Sequence, residues 1–318
     1  MFLRVASVSK QYRGQKVLDD ISFPVRQGEL VSLIGPSGAG KTTLLKIIAG
    51  LELPDSGSVK STADLCANPA ILVFQDYLLF PAMTVFNNVA YGLKCRGVKG
   101  TALTEKVSAM LAYFQLTDKS RHYPRQLSAG QQQRVALARA MVVNPSLLLL
   151  DEPFANLDRN LKAETAEFIK TFQKEYGITA ISVTHDLQEA FIMSDKIGIM
   201  LDGRLHQFDT VKNVYNYPAS GRVAAFLGHV NHIPASYFPL LGLDQHNGAV
   251  TVRAEAITLA HHENGVGEIT EVQFAGHHVI YRVRVKELVL TVYSLDPGFS
   301  REERVDITIT HTIANGDH

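Results

Sequence analysis

The sequence contains no tryptophan, only two cysteines and no excess of charge of either sign among its 318 residues. The two cysteines, Cys66 and Cys95, are too few for a disulfide framework or a cysteine-based zinc site, and they predict reduced thiols in a cytosolic protein. Lys and Arg together number 31, as do Asp and Glu, so the formal net charge is zero. This balance excludes a global basic field of the kind that binds nucleic acid or anionic lipid.

Long apolar runs are missing as well. No run approaches the roughly 18 residues that a helix needs to span a bilayer. The N-terminal segment MFLRVASVSKQYRG has no apolar core of the kind found in signal peptides. We therefore expect a chain that does not itself cross a membrane. Apolar residues make up 46% of the sequence, which is enough for a sizeable core, and the length favours about two domains.

Two parts of the chain differ in pattern. Residues 1–228 mix short apolar strands, helical stretches and Gly-rich turns, which predicts an α/β domain with a mainly parallel sheet covered by helices. Segments 2–8 and 17–23 predict an antiparallel β flap at the start of this domain. Residues 229–318 alternate in period two between turn residues, which predicts a small all-β barrel or sandwich. Gly, His, Asn and Pro cluster at the boundary, near residues 228–239.

A Gly-rich loop lies between an apolar run at residues 30–34 and a helical pattern at residues 42–49. Its glycines allow successive backbone N–H groups to form an anion nest, and the helix N-terminus adds partial positive charge. Lys41 can then reach the β- and γ-phosphates of a nucleotide, and Thr42 can offer a hydroxyl to Mg²⁺. We predict an ATP- and Mg²⁺-binding P-loop, against the alternative of an ordinary strand–helix turn. The loop comprises Gly35, Pro36, Ser37, Gly38, Ala39, Gly40, Lys41, Thr42 and Thr43.

A second apolar run, at residues 147–150, ends in two acids. A buried strand here delivers Asp151 to the carboxyl edge of the sheet, beside the Mg²⁺ of the nucleotide. Glu152 points elsewhere and is suited to act as the general base that deprotonates the attacking water. The alternative is a core strand with a polar end.

The segment LSAGQ at residues 127–131, followed by QQRVALARAMVVNPSLLLLDEP, resembles the signature motif of ATP-binding cassette (ABC) ATPases. The segment VFQDYLLFPAMTVFNNVAYGL is similar to the import-type cassettes of that family. The cassette resemblance covers residues 2–228 and implies a P-loop fold with a helical subdomain. The β-rich tail resembles, at the level of pattern, the OB-like regulatory domain of maltose, polyamine, ferric-iron and sulfate importer ATPases.

The resemblance assigns the signature to a second active site. It implies that Ser128, Gly130 and Gln131 meet the γ-phosphate bound by the opposite subunit, so that two cassettes sandwich two ATP molecules head to tail. The alternative is an ordinary helix with Ser128 as its N-cap. Ala129 stands where the commonest signature has Gly. Because Ala restricts positive φ, we expect activity with some change in nucleotide geometry.

Four further residues take roles by resemblance. Gln75 is expected to touch Mg²⁺ or the attacking water, and His185 to contact the γ-phosphate. Asp158 would link the two active sites, and Tyr12 would stack on adenine, which is worth about 1–3 kcal/mol. The alternatives are a surface Gln, a structural His, a helix cap and a Tyr packed within the flap.

Some residues are expected to lie outside the nucleotide site. The largely apolar segment 77–81 predicts a docking surface, with burial in the core as the alternative. Arg134 and Arg139 receive no site role, since a solvated or salt-bridged helix face explains them. Nine of the twelve histidines lie in the tail, including the pairs at 261–262 and 277–278. Neighbours on a strand point to opposite faces, so neither pair is expected to chelate a metal alone.

Together these features predict the ATP-hydrolysing subunit of an ABC importer, placed peripherally on the cytoplasmic face of the inner membrane. The implied partners are a second cassette in a homodimer, two transmembrane permease subunits and an extracytoplasmic solute-binding protein, with no direct nucleic acid contact. A metal ion, an oxyanion, a polyamine or another small polar solute is the expected cargo. The alternatives are an export-type ABC ATPase, a soluble ABC-type ATPase acting on nucleic acid or ribosomes, and a small-molecule kinase.

Overall fold

The computed structural model describes residues 1–62, 68–155, 157, 159–244 and 248–313. The chain forms two compact units, Met1–Val211 and Lys212–His318. This division lies before the predicted boundary at residue 228, because segment 212–227 packs within the second unit. The Arg253 side chain donates to the Tyr215 carbonyl at 2.8 Å, and its guanidinium carbon lies 4.0 Å from the Tyr215 ring centroid.

The first unit contains a three-stranded antiparallel flap and a six-stranded sheet. The flap has the order β2-β1-β4 and consists of β1 (Leu3–Tyr12), β2 (Gln15–Val25) and β4 (Ser56–Ser61). The larger sheet has the order β5-β6-β7-β3-β8-β9 and is parallel except for its last strand. Its strands are β3 (Leu30–Ile34), β5 (Ala70–Val73), β6 (Leu147–Asp151), β7 (Thr179–Thr184), β8 (Lys196–Leu201) and β9 (Arg204–Thr210).

The three central strands of the large sheet are buried along their whole length. Burial on both faces, with the apolar runs of β3 and β6, suits a parallel sheet that helices cover on both sides. The predicted antiparallel flap and parallel sheet are therefore confirmed. The flap strands extend beyond the predicted segments 2–8 and 17–23, through register shifts in β1.

Among the described residues of the first unit, six segments form α-helices. They are α1 (Lys41–Ile48), α2 (Val85–Cys95), α3 (Gly100–Tyr113), α4 (Ala129–Met141), α5 (Arg159–Glu175) and α6 (Leu187–Met193). Helices α2, α3 and α4 share one apolar core through side chains such as Val89, Val107 and Val135. No helix among the described residues combines the length and the hydropathy that a membrane span requires.

The second unit is mainly antiparallel β structure, as predicted. Strand β14 alternates buried and less buried residues along its length, which explains its period-two sequence. Its core contains Ile269, Tyr281 and Leu290. The elements are α7 (Val211–Asn216), α8 (Gly221–Leu227), α9 (Phe238–Leu241), the pair β10 (Val230–Ile233) and β11 (Val250–Arg253), and a sheet ordered β12-β16-β13-β14-β15. That sheet comprises β12 (Ile257–His261), β13 (Gly267–Phe274), β14 (Val279–Val285), β15 (Leu288–Ser294) and β16 (Arg304–Ile309).

Candidate functional site

The Gly-rich loop joins β3 to α1, the strand–loop–helix order that the sequence predicts. Gly40 precedes the helix with φ of 88°, in the left-handed region that favours glycine. A Cβ on Gly40 would lie 2.6 Å from the Val17 carbonyl oxygen, and one on Gly35 would lie 2.0 Å from that of Met200. Both glycines therefore let the loop pass close to neighbouring backbone. The α1 N-terminus has no side-chain cap, so its N–H groups suit an anionic ligand.

Lys41 is the first residue of α1, and its side chain turns back into the loop. Only 5% of the residue is exposed, and Nζ donates to the carbonyls of Gly35 at 2.7 Å and Pro36 at 2.9 Å. Burial lowers the pKa of the ammonium, although the charges of Glu152 and Asp151 oppose that shift. A buried cation bonded to neutral carbonyls is a strong site for a phosphate group.

Thr42 meets the end of β6. Its hydroxyl donates to Asp151 Oδ1 at 2.9 Å, and Asp151 is 6% exposed. Burial raises the pKa of the Asp151 carboxyl, and the hydrogen bond from Thr42 opposes the rise. A hydroxyl and a carboxylate held together are hard oxygen donors of the kind that Mg²⁺ prefers. These two residues therefore fit a magnesium ion.

Glu152 and His185 lie side by side because their strands are neighbours. Strand β6 pairs with β7 up to Asp151, and the Glu152 backbone N–H donates to the Val183 carbonyl at 2.9 Å. Beyond the strands, His185 Nδ1 lies 3.2 Å from Glu152 Oε2. Glu152 has a φ of 45°, so its side chain leaves the direction set by the strand. The arrangement couples a carboxylate to an imidazole, which suits proton transfer.

Lys41, Thr42 and Glu152 line one cleft of about 460 Å³, a volume typical of small-molecule sites. Asp151 and His185 contact lining residues but do not line the cleft themselves. Tyr12 forms one wall, 42% exposed, with its hydroxyl bonded to the Glu52 carboxylate. Val17 also lines the cleft, and sequence reasoning missed it because nothing in an apolar strand residue signals a ligand. The lining residues are Tyr12, Val17, Ser37, Gly38, Gly40, Lys41, Thr42, Thr43 and Glu152.

The signature segment begins α4. The Ser128 hydroxyl accepts from the Gln131 backbone N–H at 3.4 Å, and Gln131 Oε1 accepts from the Ser128 backbone N–H at 3.1 Å. A Cβ on Gly130 would lie 2.5 Å from a methyl carbon of Leu161, so Gly130 allows close packing against α5. Ala129 is the first helical residue and has no positive φ, so the expected backbone restriction does not arise.

The structure does not bring every predicted site residue together. Among the described residues, Ser128, Gly130 and Gln131 do not line the cleft of their own chain. Gln75 lies exposed just beyond β5, which pairs with β6 and therefore ends at the same sheet edge. Asp158 lies outside the described residues.

Comparison with known proteins identifies the family. Residues 18–155 match the family model described as ABC transporter. The ferric-ion import ATP-binding protein FbpC of Escherichia coli O157:H7 is 39% identical over 82% of this chain and 80% of its own length. The spermidine/putrescine import ATP-binding protein PotA of Marinobacter nauticus is 43% identical over 81% of this chain and 69% of its own. The chain belongs to the import-type ABC transporter ATPases.

A solved structure agrees with this ABC ATPase fold. A dimeric ATP-binding cassette in a post-hydrolysis state, bound to ADP and Pi, superposes with a TM-score of 0.60 and 31% identity. The match covers 66% of this chain and 98% of that cassette. ATPase activity and ATP binding, both predicted from the P-loop, are therefore properties of the family to which this chain belongs.

Two predictions need correction, one for segment 77–81 and one for Arg139 on α4. Tyr77 is buried while Leu78 is 56% exposed, so the predicted docking surface at 77–81 is partly core. Arg139 does not lie on a solvated or salt-bridged face. It is partly buried and donates to the carbonyls of Tyr77 and Leu78. Arg134 donates instead to the Gln115 side chain at the surface.

The two histidine pairs in the tail of this ABC ATPase differ in their contacts. His261 contacts Glu303, and His262 contacts Asp306. The rings of His277 and His278 lie 4.5 Å apart, not on opposite faces, because both residues precede β14 in a turn. Within the part of the chain that the structure describes, no three His, Cys, Asp or Glu side chains form a metal site.

Proposed function

We propose that this chain is the ATP-hydrolysing subunit of an importer and works as a head-to-tail dimer on two membrane permease subunits. One observation carries the dimer. The chain presents two helix N-termini suited to a phosphate, at α1 and α4, yet the described cleft residues come from the α1 side alone. The N-terminus of α4 therefore serves the cleft of a second copy. In this arrangement each ATP contacts both subunits.

The residues in and around the cleft have separate roles in binding MgATP. The loop amides and Lys41 hold the β- and γ-phosphates, and Thr42 with Asp151 holds Mg²⁺. Magnesium supplies charge neutralisation at the phosphate oxygens. Gln75, which lies beyond β5 at the same sheet edge, orients the attacking water. Tyr12 provides the ring on which the adenine stacks.

Hydrolysis uses the pair at the ends of β6 and β7. Glu152 accepts a proton from water as the water oxygen bonds to the γ-phosphorus, and the bond from that phosphorus to the ADP oxygen breaks. His185, whose imidazole lies against Glu152, contacts the γ-phosphate and keeps the water in place. Asp158 follows this edge in sequence and links the two sites of the dimer.

The cargo class follows from the relatives more than from the cleft. Two relatives that are 39% and 43% identical to this chain are named for import of different solutes, ferric ions and spermidine/putrescine. We infer that the cassette itself does not select the solute. The proposed cargo is a small polar solute, namely a metal ion, an oxyanion or a polyamine. An extracytoplasmic binding protein would select that solute, while this subunit acts from the cytoplasmic face of the membrane.

The Glu152→Gln variant tests the dimer. It keeps every group that binds nucleotide but removes the base, so kcat is expected to fall about 1000-fold. With saturating MgATP, light scattering should give the full chain the molar mass of a dimer. Without MgATP, it should give the molar mass of a monomer. The matched control is the double variant Glu152→Gln, Lys41→Ala, which should stay monomeric. A Glu152→Gln variant that turns over ATP at the wild-type rate would refute the role of Glu152.

The same trapped variant tests the transport role. Tagged Glu152→Gln protein, incubated with MgATP and gently extracted native membranes, should retain a multi-span permease identified by mass spectrometry. The Lys41→Ala double variant again serves as the control. Recovery of ribosomal or DNA-bound partners in its place, with the permease reproducibly absent, would contradict the importer.

A further inference from the structure

The chain makes an unusual turn directly after Gln75. Tyr77 and Leu78 are consecutive non-glycine residues with φ of 58° and 42°. Residues other than glycine rarely adopt this left-handed backbone conformation, and it persists only where the surrounding structure holds it in place. The turn therefore depends on contacts from neighbouring elements.

Arg139 on α4 supplies one such contact. Its guanidinium donates to the Tyr77 carbonyl at 2.7 Å and to the Leu78 carbonyl at 2.8 Å. The guanidinium carbon also lies 5.3 Å from the centroid of the Phe80 ring. The planar fork of one arginine thus binds both residues of the turn and stacks on Phe80, two residues further along the chain.

Helix α2 holds the same segment from its other end. Asn88, which is fully buried, accepts from the Phe80 backbone N–H at 2.8 Å. Its amide also donates to the carbonyls of Phe80 and Met83, each at 3.1 Å. The Phe80 ring centroid lies 4.6 Å from that of Tyr91. Segment 77–83 is therefore attached to both α2 and α4.

Helix α4 carries the signature at its other end. Ten residues separate Ala129 from Arg139, which corresponds to about 15 Å along the helix axis. Between them Val135, Leu137 and Ala138 are buried in the core of the subdomain. A helix packed in this way moves as one body, so the signature and the turn after Gln75 move together.

We propose that Arg139 is a positioning residue for ATP hydrolysis. It fixes the turn that carries Gln75 to the signature helix, so that Gln75 of one subunit and the signature it presents to the other enter their sites in register. The proposal rests on the roles proposed above for Gln75 and the signature. Arg139 itself touches neither nucleotide nor water.

The first test separates kcat from KM. In the purified full chain, Arg139→Gln should lower kcat about 10-fold and leave KM for MgATP within about twofold, because the P-loop cleft keeps all its residues. Arg139→Lys should recover part of the loss, since one ammonium binds only one carbonyl well. Arg134→Gln, on the same helix but bonded to the surface residue Gln115, is the matched control with an unchanged kcat.

Circular dichroism at the assay temperature tests whether each variant is folded. If Arg139→Gln is unfolded, the kcat of Arg139→Lys is compared with wild type in its place. A kcat within twofold of wild type for the folded variant would overturn the proposal. So would a loss in Arg139→Gln that KM alone explains.

A double-mutant cycle asks whether Arg139 acts through Gln75. If it does, Arg139→Gln should change kcat by less than about twofold in a Gln75→Ala background. Losses that multiply would overturn the positioning role and leave the proposed function intact. A Gln75→Ala variant with wild-type kcat would refute the role of Gln75 and, with it, this proposal. A wild-type chain without ATPase activity would contradict the proposed function itself.

Discussion

The two helix N-termini that we propose for phosphate binding, at α1 and α4, differ in how their N–H groups are satisfied. Helix α1 follows Gly40 and has no side-chain cap, whereas α4 carries a reciprocal box between Ser128 and Gln131. A helix N-terminus without a side-chain cap has free N–H groups that can bind an anion. A capped N-terminus has part of its N–H groups bonded and is stable without one. We infer that the α1 site is complete in one chain. In the proposed dimer, the α4 N-terminus binds phosphate only in the cleft of a second copy.

The largest effect should come from the α1 start. Lys41→Ala removes the buried cation of the loop, so kcat/KM for ATP should fall about 100- to 1000-fold in a phosphate-release assay. The matched change on α4, Arg134→Ala, should leave kcat/KM within about twofold. Equal losses in the two variants would show that the loss does not come from the buried cation of the α1 loop.

Gly40, at the N-terminus of α1, is needed for two reasons: its φ is positive, and neighbouring backbone leaves no room for a Cβ. Gly40→Ala places a Cβ 2.6 Å from the Val17 carbonyl oxygen at a φ of 88°, so unfolding in urea should show a loss of about 2 kcal/mol or more. Gly38→Ala is the control, because Gly38 has a similar φ but open space around it. It should lose only about half as much stability. Equal losses in the two variants would show that backbone strain, not the close approach, dominates.

Tyr12 tests the base-binding end of the α1 cleft. Tyr12→Ala should raise KM for ATP about 10-fold, because the adenine loses its stacking partner, while kcat stays within about twofold. Tyr12→Phe keeps the ring and loses only the hydroxyl contact with Glu52, so its KM should match wild type. A Phe variant as weak as the Ala variant would point to that contact in place of stacking.

The smallest effect is expected at the second helix start. Ala129 already has a helical backbone, so Ala129→Gly should change kcat by less than about twofold and lower stability by at most about 1 kcal/mol. Steady-state ATPase rates and urea unfolding measure the two quantities. A kcat change of fivefold or more would show that this position needs a conformation absent from the α4 start described here.

Local sequence predicted most of the fold and the cleft. The strand–loop–helix unit at residues 30–48 and the strand ending at Asp151 follow from apolar runs and glycine positions. Arg139 was missed because its partners are main-chain carbonyls, which leave no pattern in the sequence. The histidine pair at 277–278 was placed on a strand, since the turn before β14 has no strong turn residue beside Gly276.

The sequence by itself determined the ABC family, the P-loop and the change from α/β to antiparallel β structure. The last two rest on spacing within a few residues, where periodicity and glycine content are decisive. The family rests on the resemblance of segment 127–131 and the residues after it to the ABC signature. Only the tertiary structure decided which distant groups meet, such as Thr42 with Asp151 and Glu152 with His185. Those contacts exist because parallel strands that are far apart in sequence end side by side at one edge of the sheet.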